Sequence, residues 1–115
     1  MNKTILAETK RAYCEETRNL NFRASKSVPV LDAVTIMCAA LGCKDNESGY
    51  NNFKPGFLLA LPQDANVTLA REGSVCVYVK LPKGHTLKLD ARTQRAMMID
   101  EYHPQKDGSV RLWWD

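Results

Sequence analysis

The sequence lacks most of the short motifs by which catalytic sites are recognised. No G-x-x-x-x-G-K-[ST] or G-x-G-x-x-G string occurs, so no glycine-rich loop is expected to cradle a phosphate. There is no nucleophile elbow and no H-E-x-x-H. Cys14, Cys38, Cys43 and Cys76 are scattered, and no two have the C-x-x-C spacing of zinc or redox centres. Long apolar runs are missing too. The longest, Val28 to Leu41, contains Asp32 and Thr35 and falls short of the roughly 18 residues a membrane helix needs. The opening MNKTILAETKR becomes charged too early for a secretion signal. These absences lead to the expectation of a cytoplasmic protein with reduced thiols, no cofactor, no metal and no membrane attachment.

The residues that are present are ordinary for a globular chain. The 115 residues are 44% apolar and 25% charged, which predicts one domain over 1–115 with a core of its own. The net charge of +3 is unevenly placed. Residues 1–27 hold the bases Lys3, Lys10, Arg11, Arg18, Arg23 and Lys26 against the acids Glu8, Glu15 and Glu16, and the rest of the chain is balanced. That quarter is the candidate nucleic-acid surface, although dedicated nucleic-acid binding calls for a stronger basic face.

Hydrophobic periodicity divides the chain at about residue 57. Leu6, Tyr13, Thr17 and Leu20 recur at helical spacing, predicting a helix over 3–20 capped by Asn2 or Thr4, followed by a polar connector over 21–27. Ser27 as N-cap, Pro29 in the first turn and Gly42 as stop predict a second helix ending at Leu41. This helix is apolar almost all round, so it is expected either to be sandwiched or to serve a homodimer. The loop at 43–56 presents Tyr50, Phe53 and Lys54 as candidate partner contacts. Beyond it the period becomes 2. Strands are expected over 57–61, 67–70, 75–81, 86–90, 96–103 and 109–114. The expected fold is therefore α+β: two N-terminal helices followed by an antiparallel meander of five to six strands.

The densest group of chemically active side chains is near the C-terminus, in EYHPQKDGSVRLWWD. Strand alternation puts Glu101 and His103 on one face, with Met97 and Ile99, and puts Asp100 and Tyr102 on the other. Glu101 and His103 would then form either an ion pair at a strand end or an acid–base pair. With Arg111, Tyr102, Arg92 and Arg95 nearby, the group resembles in composition the sites of small metal-independent ribonuclease toxins. His85 lies in the turn Pro82-Lys83-Gly84, where solvation is the expected state. The tandem Trp113-Trp114 cannot be buried as a pair. Trp114 is in phase with Val110 and Leu112 and is expected in the core, whereas Trp113 shares a face with Arg111. Trp and Arg are the types enriched at interface hot spots, so Trp113 and Arg111 are candidate interaction residues.

These features favour a binding protein over an enzyme. The expectation is a small cytosolic α+β protein acting through protein–protein contacts, of the kind that phages and mobile elements use to inhibit a host or defence factor. Its contacts would come from the 43–56 loop and the C-terminal strand, with homodimerisation through the second helix or an edge strand as an option. The alternative is a nucleic-acid-acting protein using the basic first helix, with ribonuclease activity as its sharper form.

Overall fold

The computed structural model describes residues 2–15 and 20–115. The fold is α+β. Helix α1 spans Lys3–Glu15, and Asn2 caps it, its Oδ1 accepting from the amides of Thr4 (2.8 Å) and Ile5 (3.4 Å). Of the far end expected for this helix, residues 16–19 lie outside the described residues, and Leu20 stands in a bend. The expected connector contributes a short strand, β1 (Asn21–Arg23), and Val28–Pro29, where the first turn of the second helix is expected, form another, β2. Both pair antiparallel with the same later strand.

Helix α2, Val30–Leu41, begins after Pro29 without a side-chain cap, so Ser27 does not play the capping role expected of it. Gly42 does stop the helix. It adopts φ 65°, and its amide reaches back to the carbonyl of Cys38. The helix buries Val30, Ala33, Val34, Ile36 and Met37. It is not sandwiched, because Leu31 is 68% exposed and Thr35 bonds back to the Leu31 carbonyl on that same outward side.

The expected strand over 57–61 is instead a 3₁₀ helix, Pro55–Ala60. Pro55 opens it, and Leu58 and Leu61 are buried three residues apart, the period of a 3₁₀ turn. A continuous apolar run such as FLLAL fits either element by hydrophobicity alone.

Strands β3 (Asn66–Glu72) and β4 (Val75–Lys80) form a hairpin whose two-residue turn places Gly73 at φ 75°. The chain then departs from the expected meander. Residues 86–90 form no strand. A 3₁₀ turn at Pro82–Gly84 leads through extended chain to Asp90, which caps α3 (Ala91–Ala96) by accepting from the Thr93 amide at 2.7 Å. Hence the helices are not all N-terminal, and the strand expected from Ala96 begins only at Glu101. β5 (Glu101–Pro104) and β6 (Val110–Trp114) form the last hairpin, where Asp107 Oδ1 holds the Ser109 amide and hydroxyl and Gly108 takes φ 90°.

The sheet order is β1-β3-β4-β6-β5, with β2 beside β1 along β3. β6 thus inserts between β4 and β5, so the C-terminal strand is paired on both sides and offers no free edge to a partner. One face of the sheet packs on the helices, through Val67, Leu69, Val77, Val79, Leu112 and Trp114. Trp114 meets Phe53 edge-to-face at 4.8 Å, and its indole N–H donates to the Met97 carbonyl.

Candidate functional site

The other face of the sheet carries the group that alternation separated in the sequence. Register fixes it: Cys76 lies opposite Trp113, Trp113 opposite Glu101, Tyr78 opposite Arg111, and Arg111 opposite His103. Arg111 from β6 bridges two carboxylates, donating from Nε to Glu72 Oε1 (2.7 Å) and from Nη1 to Glu101 Oε1 (2.9 Å). His103 Nε2 stands 3.4 Å from the same Glu101 oxygen. Tyr78 donates its hydroxyl to Glu72, and the Arg23 guanidinium lies 3.8 Å from the centre of the Tyr78 ring. Strands β1, β3, β4, β5 and β6 each contribute to this network.

Its electrostatics are those of a satisfied structure. Burial works to raise the Glu72 pKa, but hydrogen bonds from Tyr78 and Arg111 outweigh it and hold the carboxyl below its ordinary value. Burial, helped by the Glu72 carboxylate, pushes the Tyr78 hydroxyl and the Cys76 thiol to about 12. For Arg111 burial opposes the charge, but the two carboxylates more than compensate and raise its pKa. A guanidinium held between two carboxylates has its charge neutralised, so it is poorly placed to stabilise a phosphate transition state. Neither Tyr78 nor Cys76 is near ionisation at neutral pH.

The expected ribonuclease group is therefore only partly assembled. Glu101 and His103 share a face, as expected from alternation, and the pairing of β5 with β6 adds Arg111 to them. Tyr102 points to the core face, where its hydroxyl donates to the Leu87 carbonyl (2.8 Å) and accepts from the Leu89 amide. Met97 is buried beside Trp114 and does not extend the Glu101 face. Arg92 and Arg95 sit on α3 and His85 in a turn, all exposed. Among the described residues no three His, Cys, Asp or Glu side chains cluster as a metal site would require. No helix of the described residues is long and apolar enough to cross a membrane. The four cysteines are unbridged.

The candidate interaction residues divide. Phe53 is fully buried between Phe57 and Trp114, so it is part of the core and cannot be a surface contact. Lys54 is half-buried and starts the 3₁₀ helix through its carbonyl. Trp113 is half-buried, packs on Ala70, Cys76 and Tyr78, and donates its indole N–H to the Glu72 carbonyl at 2.8 Å. It has local partners for both its ring and its N–H.

Tyr50 remains outward, 43% exposed. It lies on the rim of a cleft of about 100 Å³ between the end of α2, Tyr13 of α1 and the β3–β4 turn. Leu20, 59% exposed, is on the same rim, and Ala40, Leu41 and Val75 line the apolar wall. Tyr13 and Arg71 complete it. The Arg71 guanidinium stacks on the Tyr13 ring at 4.0 Å and donates to the Tyr13 carbonyl at 2.7 Å. Burial pushes the Tyr13 hydroxyl up to about 12, partly opposed by Arg71. No sequence motif marks this cleft, because its residues are far apart in the chain. Of the two rim residues, Tyr50 is the one the sequence offers as a partner contact, whereas Leu20 is expected as a core position of the first helix and instead stands exposed.

Of the basic set, Lys3, Lys10, Arg11, Arg23 and Lys26 are exposed, and Arg18 lies outside the described residues. Arg11, Arg23 and Lys26 share a groove of about 330 Å³ between α1 and the β1 segment, together with Glu8 and the apolar Ile5, Ala12 and Phe22. Lys10 is not part of it. Comparisons with protein-family models, with curated proteins and with solved structures found no match.

Proposed function

We propose that this chain is a protein-binding module whose contact surface is the apolar cleft rimmed by Leu20 and Tyr50. One observation carries the reading: two of the few large apolar side chains left exposed converge on the same concavity. Exposed apolar groups around a preformed hollow are the usual form of an interaction hot spot. The neutralised network on the outer sheet face gives the reading indirect support, since it leaves few free groups for catalysis there. In this reading the protein acts in the cytoplasm, as an inhibitor of a host or defence factor carried by a phage or mobile element.

The test is affinity capture from the native host with wild type, Tyr50→Asp, Leu20→Asp and the outer-face control His103→Ala. A partner retained by wild type and His103→Ala, and lost with both cleft variants, supports the module. A partner lost equally with His103→Ala, or retained by both cleft variants, rejects the cleft as the surface.

The groove shared by Arg11, Arg23 and Lys26 favours a second reading, in which the chain binds nucleic acid. Binding to RNA or DNA that weakens steeply with salt, and is lost on reversing Arg11 and Lys26, would replace the protein-binding reading. Cleavage of RNA by wild type, lost in His103→Ala, would establish its ribonuclease form.

A further inference from the structure

The groove between α1 and the β1 segment sets charges of both signs around an apolar floor, which narrows the nucleic acid it can hold, an inference that rests on the nucleic-acid reading above. The groove and the Leu20–Tyr50 cleft share none of their described lining residues. Ile5, Glu8 and Ala12 recur at helical spacing, so one face of α1 makes one wall. Phe22, Ala24 and Lys26 belong to the other, with Phe22 fixed by its edge-to-face contact with Tyr13 at 5.9 Å. Glu8 is the one acid among the described lining residues, and it stands one turn from Arg11 without pairing with it. Arg11 and Lys26 likewise have no ion-pair partner among the described residues. Arg23 is already engaged, its guanidinium 3.8 Å from the centre of the Tyr78 ring, and is not counted as a contact.

We infer that the groove receives one nucleotide of a single strand, with the base on the apolar floor, its exocyclic amino group donating to Glu8, and the flanking phosphates at Arg11 and Lys26. Charge and shape both select this occupant. A base offers an apolar face and, in adenine, cytosine and guanine, an amino donor, which suits a floor that carries one carboxylate. An acidic peptide would satisfy Arg11 and Lys26 but would set its own carboxylates against Glu8. A duplex keeps its bases stacked inside, so it would reach the cations and leave the floor and Glu8 empty. About 330 Å³ lies at the lower end of ligand-site volumes, roughly 300–1,000 Å³, and suits one nucleoside.

The probes are fluorescently labelled decamers of deoxycytidine and of deoxythymidine, titrated with the full chain and read by anisotropy. The cytidine decamer is expected to bind with Kd on the order of 10–100 μM, and log K should fall with log salt at a slope of roughly −1.4, about −0.7 for each of two phosphates. The thymidine decamer should bind at least fivefold more weakly, because thymine presents the O4 acceptor where cytosine presents its amino donor. Glu8→Gln should bring the two decamers within twofold of each other, since a carboxamide both accepts and donates. A purely structural role for Glu8 would leave their ratio unchanged. Equal binding of the two decamers by wild type overturns the contact with Glu8. A duplex of the same length bound as tightly as the cytidine decamer overturns the single strand, and cytidine monophosphate bound as tightly overturns the strand in favour of a lone nucleotide. The nucleic-acid reading itself falls only if neither decamers nor duplex bind, or if their binding survives reversal of Arg11 and Lys26 to Glu.

Discussion

The two faces of the sheet are made by the same strands, yet they are held by different means. On the helix-covered face Val67, Leu69, Val77, Leu112 and Trp114 interlock with α2 and the Phe53 ring, and burial of apolar surface is the main stabilising effect. On the other face Ala70, Cys76 and Tyr78 are also buried, but no helix of the described residues packs with them. Long side chains do so instead: Trp113 packs on them, Arg23 lies over Tyr78, and Arg111 ties Glu72 to Glu101. Sequence neighbours Trp113 and Trp114 belong to these two systems, one a core anchor and one a lid. A β-sheet face can thus be closed without a second layer when cross-strand neighbours are long, complementary and in register.

Substitutions on each face put this contrast to the test. The largest effect is expected from Trp114→Ala, about 3–5 kcal/mol in urea unfolding, because a fully buried ring is removed from a packed core. Trp113→Ala should cost about 2 kcal/mol, from one hydrogen bond and partial burial. Equal losses would mean that the two faces are not distinct. Next, Tyr102→Phe should cost about 1 kcal/mol and speed hydrogen exchange at the Leu89 amide, since the hydroxyl pins residues 87–89 beside β5. Unchanged exchange would show that the segment is held by Leu87 burial alone.

Arg111→Met should cost about 1 kcal/mol or less, because Glu72 and Glu101 keep access to solvent that screens the pairs. A double-mutant cycle with Glu72→Gln isolates the coupling, and a value near zero would reduce the network to surface decoration.

The smallest effects concern pH. The Glu72 pKa is depressed on folding, so its contribution is complete above the ordinary 4.5 and is lost as pH falls through the lower folded value. Glu72→Gln should flatten the acid limb of the stability profile. Tyr13, Tyr78 and Cys76 are raised to about 12, so the native state keeps protons that the unfolded chain releases. Stability should therefore decline from about pH 9–10 towards 12, and Cys76→Ala should lessen that decline.

Much of the fold was legible in the residues. Gly42 as a helix stop, the alternation of Val75, Val77 and Val79, the hairpin at Asp107-Gly108 and the opposed fates of Trp113 and Trp114 follow from local rules, because each depends on a few consecutive residues. The departures depended on competition. TLKLD alternates like a strand, but the neighbour position beside β4 is taken by β6, so residues 86–90 form no strand and Leu87 is buried beneath Tyr102. Phe53 has the sequence context of a loop aromatic offered to a partner. It is drawn inward by Trp114 and Phe57, whose positions a loop sequence does not encode locally.

Backbone periodicity, capping and the two-residue repeat of a strand were enough, read from the chain alone, for four features. These are the α+β class, the end of the second helix at Gly42, the inward phase of the central strands and the separation of Tyr102 from Glu101 and His103. Tertiary packing was needed for the strand order, the bridging of Glu72 and Glu101 by Arg111, and the meeting of Leu20, Tyr50, Arg71 and Ser74 around one cleft. Those outcomes join residues far apart in the chain, and they depend on which long-range pairing buries the most apolar surface while leaving the fewest polar groups unpaired.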